Sequence, residues 1–137
     1  WSSIACTVLR IPEAVLQAMA GAYGTRPQDV EAAIGPGISL EAFEVGNEVY
    51  EAFRTVGFPM GEMARRYPAA GDGSGRMEKW HLDLWQANRG LLEGCGVPST
   101  RIHLAGVCTY LHSERFFSAR RLGIRSGRIL NGIFLTD

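Results

Sequence analysis

Apolar residues recur at three- and four-residue steps from the start of the chain: Ile4, Val8, Ile11, Val15, Ala18, Met19 and Ala22. That spacing is one face of an amphipathic helix over residues 3–22. Pro12 interrupts it. Proline has no N–H and clashes with the preceding turn in a helix interior. Either the helix kinks there, or a second helix starts with Pro12 at its first position and Glu13 behind it, where an acid suits the N-terminus. The pattern ends between Gly21 and Gly24. Thr25-Arg-Pro-Gln-Asp29 reads as a turn, and Val30 to Ile34 as a short strand stopped by Gly35-Pro36-Gly37. Val45, Val49, Ala52, Phe53 and Val56 share a face, which predicts a helix over residues 45–56.

Residues 57–78 hold Pro59, Pro68 and Gly71-Asp-Gly-Ser-Gly75. They read as a long loop with a helical turn around Glu62 to Arg66. The stretch is too apolar at its start for a linker, so no domain boundary is placed there. A helix is predicted from His81 to Cys95, with Leu84, Trp85, Leu91, Leu92 and Cys95 on one side, Asp83 in its acidic first turn, and Gly94 and Gly96 ending it. Pro98-Ser-Thr is a turn, and Arg101 to Val107 alternates like a strand. Phe116 and Phe117 read as a buried connection, and Arg128 to Leu135 as a terminal strand. Helices and strands alternate without repeats, so the fold class is α/β or mixed α+β.

Composition narrows the function classes. The 137 residues make one domain or most of one. Lys+Arg and Asp+Glu are 14 each, which suggests neither a nucleic-acid-binding face nor an acidic tail. No apolar run approaches the roughly 20 residues of a membrane span, and the start lacks the basic region of a signal peptide. Three cysteines, Cys6, Cys95 and Cys108, fit a reducing compartment such as the cytoplasm better than a disulfide framework. The chain opens inside a helical pattern without an initiator Met, which points to something upstream removed or left out.

Several segments have residues suited to chemistry, each with a plainer reading beside it. The turn at Gly35 follows a strand, where backbone N–H groups can face an anion, or the strand can simply end. Glu44 stands before a glycine at a helix entrance, as an acid/base group or a cap. His81 and Asp83 bracket a helix start but do not share a helical face, so they read as a weak acid/base pair or, more plainly, as an N-terminal cap and a solvent-exposed His. Cys108 follows a strand, at the end where ligands sit in many α/β folds, yet a lone cysteine also serves as a small buried hydrophobe. Phe116-Phe-Ser-Ala-Arg-Arg121 combines two rings with two guanidinium groups, which suits a flat ring and an anion. In an extended chain Arg120 and Arg121 point to opposite faces, so at most one serves a given site. His81, His103 and His112 are scattered, with no His-x-His, Cys-x-x-Cys or His-Glu-x-x-His.

Taken in order, Trp1-Ser-Ser-Ile, Tyr23-Gly-Thr-Arg-Pro-Gln-Asp-Val30, Ile34-Gly-Pro-Gly-Ile38, Phe43-Glu-Val-Gly-Asn-Glu-Val49, His81-Leu-Asp-Leu-Trp-Gln-Ala-Asn88, Val107-Cys-Thr-Tyr110, Phe116-Phe-Ser-Ala-Arg-Arg121 and Gly127-Arg128 resemble one family. It is that of the laccase-domain or multicopper polyphenol oxidase proteins, also called purine nucleoside phosphorylases of the peptidoglycan-editing-factor type. The resemblance implies a mixed α/β sandwich like that of cytotoxic necrotizing factor, and phosphorolysis of adenosine, inosine or guanosine with some adenosine deamination. It also implies a zinc site of two His and one Cys whose ligands fall upstream of Trp1, so no metal ligand is expected in this chain. An older name of the family implies copper-dependent phenol oxidation instead. A third alternative is an inactive fragment or half-assembly lacking its metal half.

On the matched motifs, Arg120, Glu44 and Asp83 are the catalytic candidates. Phe116, Phe117, Arg121, Cys108 and Gly35 are the substrate-binding ones. The implied partners are a purine nucleoside and phosphate, with neither nucleic acid nor membrane, together with a missing N-terminal segment or partner chain. The chain departs from the family at Ser2 and Ser3, where Arg and Gly are usual, at Gly37, where many members carry Cys, and at Leu122, where Asp is usual.

Overall fold

The computed structural model describes residues 2–69 and 77–134. The expected first helix is two. Helix α1 is Ser2–Val8, and α2 is Ile11–Tyr23 with Pro12 in its first turn, where a missing N–H leaves no hydrogen bond unmade. Arg10 makes the break, with a left-handed φ of 54°. It ion-pairs with Glu13, which places an acid in the first turn of α2. Glu13 is held below the ordinary carboxylate range by its hydrogen bond from Arg10.

This break also divides the expected apolar face. Ile4 and Val8 pack on the main core, whereas in α2 it is Leu16 that is buried, with Ile11 and Val15 left 41% and 50% exposed. A single helical face needs one continuous axis, and the turn at Leu9-Arg10 re-aims the second helix.

Two small sheets follow. Strand β1, Ala32–Ile34, pairs in parallel with β5, Ile102–Leu104. Strands β2, Glu44–Val45, β3, Ala64–Pro68, and β4, Glu78–Leu82, form an antiparallel sheet in the order β2-β4-β3. The expected loop over 57–78 is therefore a short helix α4, Met60–Met63, leading into β3 and the hairpin with β4. Pro68 ends the edge strand β3, where a missing N–H is tolerated. The glycine run 71–75 lies outside the described residues.

Helix α3, Asn47–Thr55, starts two residues later than expected because Glu44 and Val45 are paired as β2. Helix α5, Leu84–Gly94, starts after His81, which sits in β4. Asp83 is its N-cap and accepts a hydrogen bond from the Gln86 N–H at 2.9 Å. The last helix, α6, is Ala119–Leu122. Residues 128–134 form no strand and are mostly exposed. Phe117 is 56% exposed and Phe116 half-buried, so the buried residue of that connection is Ser118.

Phe53, Met63 and Leu82 are almost wholly buried in the main core, with Leu84, Ala87 and Leu91 of α5 packed around them. The Phe53 and Phe58 rings meet at 5.0 Å. A second cluster of Leu16, Val97 and Ile102 seats α2 against the parallel pair. Helix α5 serves both, since Leu91 faces the first and Leu92 the second. Among the described residues, no helix is long and apolar enough to cross a membrane.

Urea unfolding checks these assignments. Phe53→Ala is expected to cost about 3–5 kcal/mol, the range for emptying a packed aromatic site. Asp83→Ala is expected to cost about 1 kcal/mol, the value of an N-cap.

Candidate functional site

The Gly35-Pro36-Gly37 turn runs alongside residues 107–109, beyond the C-terminal ends of β1 and β5. Gly37 N–H donates to Val107 O at 3.1 Å, and Thr109 N–H donates to Gly37 O at 2.8 Å, so Gly37 and Cys108 form a parallel bridge. A cavity of about 420 Å³ opens there. The crevice past the strand ends is where open α/β sheets bind ligands.

Its interior is mostly apolar: Ile34, Ile38, Phe43, Leu84, Trp85 and Phe117. Asn88, Thr109, Arg120 and Arg128 bring polar groups to it. Two glycines keep it in shape by close approach. A Cβ on Gly37 would lie 2.8 Å from Trp85 Nε1, and one on Gly35 would lie 2.8 Å from Asn131 Cγ. A Cys at position 37, which many members carry, would require the Trp85 indole to shift. That indole N–H is buried with no hydrogen-bond partner among the described residues. Asn88, one turn further along α5, donates from Nδ2 to Thr7 Oγ1 at 3.1 Å and to Leu84 O at 2.7 Å, tying α1 to the cavity wall.

Of the residues singled out from sequence, the cavity takes in Gly35, Phe117 and Arg120. Arg120 Nη1 donates to the Glu44 backbone carbonyl at 2.6 Å, and its guanidinium lies 5.1 Å from the Phe43 ring centre. Arg121 turns elsewhere, donating to Tyr110 Oη at 3.3 Å and lying over that ring at 5.1 Å. The two guanidinium groups do part, although on a helical turn and not on an extended chain. Phe116, Glu44, Asp83 and Cys108 are not among the lining residues. Glu44 does not cap α3, whose N-cap is Gly46.

Cys108 is 5% exposed, and its sulfur accepts the Ser39 N–H at 3.3 Å. Burial pushes the thiol up, but hydrogen bonding from Ser39 and from the backbone of Leu111 and Tyr110 outweighs it, leaving the thiol below its ordinary value. Trp85 and Asn88 were legible as helix residues but not as wall residues, since only the fold places the indole under the turn. Arg128 stands in a segment read as a strand, and its recruitment depends on a chain path that periodicity does not encode.

The histidines stay apart. His81 donates from Nδ1 to Leu40 O at 3.0 Å, and its ring lies 4.8 Å from that of Tyr67. His103 Nε2 pairs with Glu31 at 2.8 Å, and His112 Nδ1 with Glu114 at 3.5 Å. Among the described residues, no three His, Cys, Asp or Glu side chains come together as a metal-ligand set. The described residues therefore supply no complete ligand set for the zinc or copper that the family resemblance implies.

Residues 4–136 match the family described as multi-copper polyphenol oxidoreductase laccase. The chain belongs to this family. Among the relatives that resemble this laccase-like chain is the purine nucleoside phosphorylase of Bacteroides thetaiotaomicron, 50% identical over 129 residues that make up 94% of this chain and 45% of the relative. Adenosine deaminase RL5, from an unknown prokaryotic organism, is 42% identical over 93% of this chain and 46% of its own length. The purine nucleoside phosphorylase YfiH of Escherichia coli is 34% identical over 88% of this chain and 45% of its own. The crystal structure of the Bacillus licheniformis hypothetical protein YfiH superposes with a TM-score of 0.70 at 27% identity, over 84% of this chain and 40% of that one. The mixed α/β fold is thus shared with solved members. The chain spans about half the length of the curated relatives it matches.

The lowered thiol gives a pH test. Between its folded value and the unfolded value of about 8.5, the native state holds thiolate while the unfolded chain holds thiol. The unfolded state then binds more protons, so this contribution to stability grows as pH rises through the window and is lost as pH falls through the folded value. Urea midpoints from pH 6 to 9 are expected to rise for wild type relative to Cys108→Ser. Parallel pH profiles for the two proteins would contradict the shift.

Proposed function

We propose that this chain carries the purine- and phosphate-binding part of a nucleoside phosphorylase site. The observation that supports this best is the joining of a flat-sided apolar interior to a guanidinium at its edge, in a cavity of about 420 Å³. That volume lies within the roughly 300–1,000 Å³ of small-molecule sites, which are mostly apolar with a few convergent polar groups. The names of the relatives from Bacteroides thetaiotaomicron and Escherichia coli point to the same activity.

In phosphorolysis a phosphate oxygen bonds to C1′ of the ribose as the bond from C1′ to the purine nitrogen breaks. The bond electrons leave with the base, and the proton of hydrogen phosphate ends on the base nitrogen. The protein's work is to hold two reactants in line and to offset charge. In this reading Trp85 and Phe117 pack against the purine, and Arg120 grips phosphate with a planar fork of donors. The bond to the Glu44 carbonyl fixes where that fork points, so the part proposed for Glu44 here is to position Arg120 through its backbone. Asp83 acts at one remove, by capping the helix that presents Trp85 and Asn88.

The 42% identity to adenosine deaminase RL5 favours a second reading, amine loss from the same purine in the same cavity. Zinc, which the family resemblance implies, has no ligand set among the described residues.

The test uses the natural full-length protein, with inosine and inorganic phosphate. A hydrogen bond to a charged group is worth about 1.5–3 kcal/mol, so Arg120→Ala is expected to raise the phosphate KM roughly 10- to 100-fold. The inosine KM should move less than about twofold. Unchanged phosphate dependence would overturn the assignment.

A further inference from the structure

A second, more open cavity of about 570 Å³ lies beside the first and shares Ile4, Ala119 and Arg120 with it. Its chemistry is different. Glu44 from β2, Glu48 from the first turn of α3 and Lys79 from β4 line it with Arg120.

The strand register builds this wall. Glu44 stands opposite His81 and Val45 opposite Trp80, so Lys79 lies on the same sheet face as Glu44. Continuing that register brings position 46 opposite Lys79. Position 46 is glycine, and a Cβ there would run into the Glu48 carboxylate oxygens, so the bare backbone is what gives that carboxylate room.

Lys79 is the single lysine of the chain. It is half-buried and makes no ion pair with a described residue. A partly desolvated ammonium not committed to a close ion pair keeps its donors for an incoming anion. Arg120 faces both cavities, so a ligand whose flat part fills the apolar cavity has its charged end beside this guanidinium. The polar cavity offers two cations for an oxyanion and two carboxylates suited to neutral hydroxyl groups. A sugar phosphate has both kinds of group.

We propose that this cavity binds the ribose-phosphate half of the reaction, with Lys79 and Arg120 holding the phosphate oxyanion and Glu44 and Glu48 accepting hydrogen bonds from ribose hydroxyls. The inference rests on the phosphorylase reading and adds Lys79 as its second phosphate-binding residue. The bond that breaks then lies at the boundary between the two cavities, beside Arg120.

The experiment pairs a binding measurement with a rate measurement on the natural full-length protein. Calorimetry with inorganic phosphate, and separately with ribose 1-phosphate, is run on wild type, Lys79→Gln and Lys79→Arg, with circular dichroism as the folding check. Lys79→Gln is expected to weaken both ligands at least tenfold, Lys79→Arg to restore them to within about threefold, and inhibition by free hypoxanthine to stay within twofold. With inosine turnover, Lys79→Gln is expected to raise the phosphate KM and leave the inosine KM unchanged. Equal phosphate affinity in wild type and Lys79→Gln overturns the inference. Weakened phosphate binding in Lys79→Gln, with a wild type that releases no base from inosine, supports the anion site and overturns the phosphorylase reading instead.

Discussion

The site depends on the parallel bridge between Gly37 and Cys108. Two hydrogen bonds, Gly37 N–H to Val107 O and Thr109 N–H to Gly37 O, carry the pairing of β1 and β5 past the last residues of both strands. They hold a Gly-Pro-Gly turn in register with a segment about seventy residues away in sequence. The polar backbone of this turn would otherwise compete with water for partners. Held in place, it forms a wall of the cavity together with the Trp85 indole packed against it.

Helix α5 translates that arrangement into the core. Its cap at Asp83 follows directly from β4, so the sheet and the helix turn over a single residue. Leu84 and Leu91 reach the main cluster while Leu92 reaches the smaller one, and Trp85 and Asn88 are left for the cavity. The helix therefore has three faces in use. Few of its positions are available to solvent alone, and the accuracy of the cavity wall is inherited from the packing of both clusters.

The sequence was most legible where a local rule coincides with tertiary need. Asp83 before an apolar run reads as a cap and is one; Pro12 with Glu13 leaves a kink or a helix start open, and the structure has the helix start. The parting of Arg120 and Arg121 was also legible, since neighbouring residues diverge in either regular conformation. The hairpin of β3 and β4 was not, because its strands carry Arg65, Arg66, Glu78 and Lys79, and their proline- and glycine-rich surroundings read as loop. His81 was misplaced on a helix because periodicity cannot separate the end of a strand from a helix that begins two residues later. Trp85 looked like an ordinary face residue; its place under the turn depends on contacts between segments nearly fifty residues apart.

The close contact of Gly37 with Trp85 ties the turn to helix α5. It couples two positions that belong to different motifs. A side chain in the turn requires the indole to shift or to be smaller, so the two positions pack as one unit. The contour of the cavity on this side is thus a joint property of two residues from different motifs.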